Sequence, residues 1–141
     1  MNTRDQAAVA FYEAYRAAAR RLDIFHLHES IGNLIKHYKR LAVQCLEEGY
    51  GDYLSEFDHD ILIRGMIEKV LTAPELQGFD AFKDFQQNIA DIDGLLQESF
   101  IPGFTSPIEG PWWQRGVVRK GYLDYAEDVK THFGIDLANY Q

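Results

Sequence analysis

The stretch HESIGNLIKHYKRLAVQCLEE, residues 28–48, decides the fold class of this chain. Its apolar residues recur at intervals of three and four, the spacing that places side chains on one face of an α-helix. They are Ile31, Leu34, Ile35, Tyr38, Leu41, Ala42, Cys45 and Leu46. Gly49 and Gly51 follow directly, and glycine commonly ends a helix. The stretch therefore predicts an amphipathic helix that ends before Gly49.

The same period recurs along most of the chain. It predicts further helices over residues 5–22, 53–71, 79–100 and 122–133. The apolar stripe of the first of these is Val9, Tyr12, Tyr15, Ala19 and Leu22. The helix over 53–71 has two candidate breaks, one at Gly65 and one within residues 58–60. Gly134 follows the last helix and is expected to end it.

The helices are interrupted by two kinds of signal. Thr72 and Glu75 have the spacing of a capping box, with Pro74 between them, so a new helical turn is expected there. Residues 101–111, IPGFTSPIEGP, are too rich in proline and glycine for regular helix and lead into Trp112 and Trp113. Only residues 116–118 suggest a short strand. The prediction is one all-α domain over residues 1–141, a bundle of about five to six helices with an irregular Pro/Gly/Trp loop before the last helix.

Composition limits the class of protein further. At 141 residues, with 46% hydrophobic residues, the chain is long enough to bury a core without disulfides. Its single cysteine, Cys45, is expected to be a small buried apolar residue. Charged residues interrupt the N-terminal stretch and no segment is long and apolar enough to span a membrane, so a cytoplasmic location is expected.

The charge of the chain is concentrated in its middle. Residues 47–98 carry thirteen acidic and three basic residues, a balance of −10 against −8 for the whole chain. Within that region the acids of 80–98 are spread along the polar face of a predicted amphipathic helix. Such a placement is common and does not indicate a binding site. Residues 47–60 are different, because six carboxylates occur there without an intervening base. These are Glu47, Glu48, Asp52, Glu56, Asp58 and Asp60.

This acidic segment is a candidate surface for binding a basic protein. Carboxylates accept bidentate hydrogen bonds from arginine, and the interleaved Tyr50 and Tyr53 are suited to protein contacts. Trp113 and Arg115 are added as candidate contact residues, because tryptophan and arginine are frequent binding hot spots. The alternative interpretations are that the acids only solvate a helix connection and that the tryptophans only anchor the irregular loop.

Signals for catalysis and for metal binding are weak. Glu56 and His59 form one Glu-x-x-His step, whereas a di-iron bundle site needs two such steps and further glutamates. None of the serines lies in a nucleophile elbow, and the chain has no Gly-rich phosphate loop. The sequence therefore predicts no catalytic residue, no metal ligand and no cofactor.

These observations favour a binding protein over an enzyme. The leading hypothesis is an acidic module that occludes a basic protein partner, as an immunity protein or antitoxin inhibits a cationic toxin. Two alternatives stay open: a small helical enzyme, with or without a metal at Glu56 and His59, and a homo-oligomeric regulatory bundle. The net charge of −8 argues against a nucleic-acid partner, and no membrane partner is expected. The sequence names neither the partner nor an oligomeric state.

Overall fold

Helices account for nearly all regular structure in the computed structural model, which describes residues 2–25, 28 and 30–141. The helices are α1 (Thr3–Arg21), α2 (Ile31–Glu47), α3 (Leu54–Asp60), α4 (Leu62–Leu71), α5 (Asp80–Ser99), α6 (Trp112–Arg115) and α7 (Leu123–Phe133). Short 3₁₀ turns occupy Pro74–Leu76 and Leu137–Tyr140. Over these residues there is no strand beyond two isolated bridges. The all-α prediction is confirmed, with six helices of seven residues or more.

The buried face of α1 differs from the predicted stripe. Asn2 caps the helix, its side chain accepting a hydrogen bond from the Asp5 amide at 2.8 Å. The buried residues are Phe11, Tyr15, Ala18 and Ala19, whereas Val9 and Tyr12 are exposed. The prediction was wrong for Val9 and Tyr12. Alanines occur on several faces of this helix, so its sequence is compatible with more than one apolar face. Packing buries the face that contains Phe11.

Helix α2 buries the face that its spacing predicts, including Leu34, Tyr38 and Cys45. The predicted start at residue 28 is three residues early, and residues 26, 27 and 29 lie outside the described part of the chain. At its other end the Gly49 amide donates to the Gln44 carbonyl at 2.8 Å. Gly49 has a φ of +97°, which glycine adopts without strain, so the predicted end is confirmed.

The predicted helix over 53–71 is divided into α3 and α4 at Ile61. The break follows the Asp58–His59–Asp60 cluster, and Gly65 continues within α4. The capping box predicted at Thr72 does not form. The Thr72 hydroxyl instead lies within hydrogen-bond distance of the Glu68 and Lys69 carbonyls of α4, at 3.1 and 3.2 Å. The turn that follows is a 3₁₀ turn without a side-chain cap.

The irregular segment between α5 and α7 is held by hydrogen bonds to itself. The Ile101 amide donates to the Val117 carbonyl, and the Ser106 amide to the Arg115 carbonyl, both at 2.8 Å. The short strand suggested at residues 116–118 does not form. Val118 makes only an isolated bridge with Phe100. The Phe104 ring contacts the ring of Phe133 on α7, with centroids 5.6 Å apart. The predicted loop is therefore ordered and packs against the last helix.

The chain folds into two compact units. Unit 1 contains residues 1–38 and 63–91, and unit 2 contains residues 39–62 and 92–141. In unit 1 the Arg21 guanidinium at the end of α1 forms a bidentate ion pair with Glu75 at 2.7 and 2.8 Å. In unit 2, α3 packs against α7, and the acidic segment and irregular loop both belong to this unit. That residues 1–141 form a single domain stays a prediction.

Candidate partner-binding surface

The acidic segment is anchored to the backbone that precedes α7. The Tyr50 amide donates to the Lys120 carbonyl at 3.0 Å, and the Tyr122 amide donates to the Tyr50 carbonyl at 2.9 Å. Four residues further along the chain, the Leu54 amide donates to the Asp128 carboxylate on α7 at 3.0 Å. Because both ends of the connection are hydrogen-bonded, its carboxylates project from an ordered backbone.

The carboxylates of this segment are exposed, as predicted. We use the name acidic surface for the exposed side chains of Glu47, Glu48, Asp52, Tyr53, Glu56, Asp58 and Asp60. Among the described residues, no lysine or arginine forms an ion pair with any of the six carboxylates. One base lies close by, since Arg40 lines a shallow depression on α2 together with Glu47 and Glu48. The least compensated part of the surface is therefore on the connection and on α3.

The acids of unit 1 are in a different situation. Four of them form ion pairs with bases of the same unit: Glu13 with Arg16, Glu68 with Arg64, Glu75 with Arg21 and Asp80 with Lys83. Unit 1 has a net charge of −1, whereas unit 2 holds thirteen acids and six bases and has a net charge of −7. Almost the whole net charge of the chain thus belongs to the unit that carries the acidic surface.

Tyr50 is not part of the exposed surface, so its prediction as a contact residue is corrected. Its side chain is only 2% exposed and packs edge-on against the rings of Phe57 and Tyr125. Its hydroxyl donates to the Asp60 carboxylate at 2.6 Å. Burial and this hydrogen bond both raise the pKa of Tyr50. Tyr50 is a core residue that holds one carboxylate of the acidic surface in place.

Trp113 and Arg115 also differ from their prediction as contact residues. Trp113 is 7% exposed and contacts the half-buried Trp112 edge-on, with centroids 5.7 Å apart. Arg115 is half-buried, and its Nε donates to the Ser106 carbonyl at 3.2 Å. These contacts support the alternative interpretation, in which the tryptophans and Arg115 stabilise the irregular segment. Neither residue lies in the acidic surface.

Two exposed apolar residues beside the acidic segment were missed by sequence reasoning. Tyr122 is 55% exposed and Leu123 is 70% exposed, where α7 begins. The Tyr122 ring lies directly over Gly51, since a β-carbon placed on Gly51 would be 2.9 Å from it. Only the pairing of Tyr50 with the segment before α7 brings Tyr122 here. Tyr122 is thus an exposed aromatic residue beside the acidic segment, where Tyr50 was expected to be one.

A groove opens beside α3 within unit 2. It has a volume of about 390 Å³, and we call it the Asp58 groove. Its walls come from α3, the irregular segment and α7, and are formed by Leu54, Ser55, Asp58, Ser106, Ile108, Gln114, Gly116, Val117, Asp128, His132 and Phe133. Burial in the groove raises the pKa of Asp58, while the neighbouring His132 acts in the opposite direction. Asp58 therefore belongs both to the acidic surface and to a cavity.

The candidate metal ligands and the single cysteine lie apart from any metal-binding cluster in the described residues. Within the described part of the chain, no three His, Cys, Asp or Glu side chains lie close enough to hold a metal ion. Glu56 and His59 are both exposed on the short helix α3. Cys45 is fully buried, and burial raises the pKa of its thiol to about 12, so it behaves as the predicted apolar residue.

The chain matches no protein-family model, no curated protein and no solved structure. None of the helices in the described residues is both long enough and apolar enough to cross a membrane.

Proposed function

We propose that the protein binds a basic protein partner through the acidic surface and occludes it, in the manner of an immunity protein or antitoxin that inhibits a cationic toxin. One observation carries the proposal: six exposed carboxylates lie at the end of α2, on the connection that follows and on α3, and no lysine or arginine in the described residues forms an ion pair with them. A cytoplasmic location stays a prediction.

The physical basis is the concentration of charge. Unit 2 carries a net charge of −7, and a field of one sign attracts a cationic partner and raises its association rate. Tyr53 and Tyr122 add exposed aromatic area beside the carboxylates. Such a mixture of acids and tyrosines suits a contact in which arginine and lysine side chains of the partner lose their water.

Paired variants separate this function from general solubility. The surface variant carries Asp52→Asn, Glu56→Gln and Asp58→Asn, and the control variant carries Asp80→Asn, Asp84→Asn and Asp91→Asn on α5. Each removes three exposed negative charges, in unit 2 or in unit 1 respectively. Tagged wild-type and variant proteins serve as baits in a lysate of the host, with captured proteins identified by mass spectrometry. The captured partner is then purified and its association rate measured at two salt concentrations.

We expect one basic protein to co-purify with the wild type and the control at equal stoichiometry, and to be lost with the surface variant. Its association with the surface variant should be slower by about tenfold at low salt, and high salt should narrow the difference. Equal loss with both variants would mean that bulk charge alone is responsible. Equal retention by both would place the interface elsewhere. Either result overturns the proposal.

No specific observation favours the two alternatives, a small helical enzyme and a homo-oligomeric regulatory bundle. No group of three or more metal-binding side chains occurs in the described residues. Both alternatives stay predictions.

A further inference from the structure

The geometry points to the Asp58 groove as a binding site for an arginine side chain of a basic protein. This inference rests on the proposed function and makes it more specific, because it assigns the groove one side chain of the partner. A groove of about 390 Å³ is within the range of roughly 300–1,000 Å³ typical of ligand sites.

The two carboxylates in the groove have different roles. The Asp128 carboxylate accepts a hydrogen bond from the Leu54 amide at 3.0 Å and so belongs to the fold. The Asp58 carboxylate accepts no hydrogen bond from the described residues. Surrounding atoms remove part of its water, and the attraction of His132 offsets that effect only in part. A cation that enters the groove would restore the lost interaction, whereas an anion would be repelled by both groups.

The walls of the groove favour a guanidinium group over an ammonium group. Leu54, Ile108 and Phe133 contribute apolar surface to the groove, and Ile108 is exposed. A guanidinium is more weakly hydrated than an ammonium and can stack on an aromatic ring such as that of Phe133. It also matches the two oxygens of one carboxylate, so Asp58 can accept two parallel hydrogen bonds from it.

The site does not depend on net charge alone. Glu56 is on the same short helix and is exposed, but it does not line the groove. Removing its charge changes the overall field by the same amount as removing that of Asp58. If the two substitutions change the affinity for a ligand by different amounts, the difference therefore measures binding in the groove and not the effect of the overall field.

The test uses the full chain and three capped peptides, Gly-Arg-Gly, Gly-Lys-Gly and Gly-citrulline-Gly. Citrulline keeps the shape of arginine without the charge. Binding is followed by backbone and side-chain NMR shifts of the wild type, Asp58→Asn and Glu56→Gln, with thermal melts to verify that each variant is folded. We expect the arginine peptide to change the NMR shifts of Asp58, Ile108 and Phe133 most. The lysine and citrulline peptides should bind more weakly.

Asp58→Asn should reduce the affinity for the arginine peptide by about tenfold, and Glu56→Gln should reduce it by less than about threefold. Equal effects of the two substitutions, equal binding of citrulline, or shifts away from the groove would overturn the inference. None of these results would affect the bait experiment with the surface variant, which tests the acidic surface as a whole. Failure of the peptide test together with loss of the partner from the surface variant would overturn the groove alone. Retention of the partner by the surface variant would overturn the proposed function.

Discussion

The six carboxylates of the acidic surface differ in their surroundings. Asp60 accepts the Tyr50 hydroxyl at 2.6 Å, Asp52 accepts the amide of Tyr53 at 2.9 Å, and Asp58 lines a groove without a donor. A carboxylate that already accepts a hydrogen bond from the protein is stabilised less by a further hydrogen bond from a partner. Carboxylates of equal formal charge are therefore unequal as acceptors, and of these three Asp58 is the one that accepts no hydrogen bond from the protein.

Replacing Tyr50 by Phe should reduce the free energy of unfolding by about 1–2 kcal/mol, since it removes a hydrogen bond to a carboxylate. The ring and its contacts with Phe57 and Tyr125 are kept. Urea denaturation at pH 7 measures the change. Tyr53→Phe is the matched control, because that hydroxyl is exposed, and it should change stability by less than about 0.5 kcal/mol. Equal effects would contradict a stabilising role for the Tyr50–Asp60 bond.

Among the elements, α3 depends on a neighbour for its start. Tyr53 is its N-cap residue and provides no side-chain hydrogen bond to the helix. Asp128, on α7, accepts the Leu54 amide instead. The cap that most helices obtain from their own sequence thus comes from another helix, and it sets where α3 lies against α7.

Asp128→Ala should therefore lower the free energy of unfolding by about 1 kcal/mol, the usual effect of a lost helix cap. Glu127→Ala removes an exposed acid from the adjacent position of α7 and should have an effect below about 0.5 kcal/mol. Urea denaturation of both variants gives the comparison. A result in which Glu127→Ala is the more destabilising would show that Asp128 does not act as the cap.

The turn after α2 should be the most sensitive point of the acidic segment. A β-carbon on Gly49 would lie 2.9 Å from the Lys120 backbone, at a φ of +97° that alanine rarely adopts. Gly49→Ala should reduce the free energy of unfolding by about 2–4 kcal/mol. Gly94→Ala, in the interior of α5 with no atom within 4 Å, should instead increase it by about 0.5–1 kcal/mol. Thermal melts that rank the two alike would contradict this geometry.

Across the whole molecule, buried phenols and a buried thiol make stability depend on alkaline pH. Burial raises the pKa of Tyr15 to about 12, that of Cys45 to about 12, and that of Tyr125 well above its usual range. The unfolded chain ionises these groups from about pH 9 to 10, whereas the folded protein keeps them protonated. The unfolded state therefore binds fewer protons in that range, and ionisation favours unfolding.

We expect the free energy of unfolding to be unaffected by these groups below about pH 8, to begin to fall as Cys45 ionises in the unfolded chain, and to fall more steeply above about pH 10, where unfolded tyrosines ionise as well. Melts between pH 8 and 11, with absorbance at 295 nm as a measure of phenolate, test this. The buried tyrosines should ionise together with unfolding. Ionisation of all tyrosines in the folded protein, with an unchanged melting temperature, would contradict the burial of Tyr15, Tyr50 and Tyr125.

The acidic charge is also a property of the molecule as a whole, because it is divided unequally. Unit 2 carries −7 and unit 1 carries −1, although their stretches alternate along the chain. No contiguous count of residues shows this division. The acidic region of 47–98 includes acids such as Glu75 whose charge is neutralised within unit 1.

Local spacing was sufficient for the all-α class, for the buried face of α2, and for the exposure of Glu56 and Asp58, because periodicity and charge act within a few residues. Contacts distant along the chain decided the rest. The pairing of Tyr50 with residues 120–122 buried one tyrosine and brought Tyr122 over Gly51. The packing of α3 and the irregular segment against α7 formed the Asp58 groove. A buried position and a cavity depend on which surfaces meet, and that is a property of the tertiary structure alone.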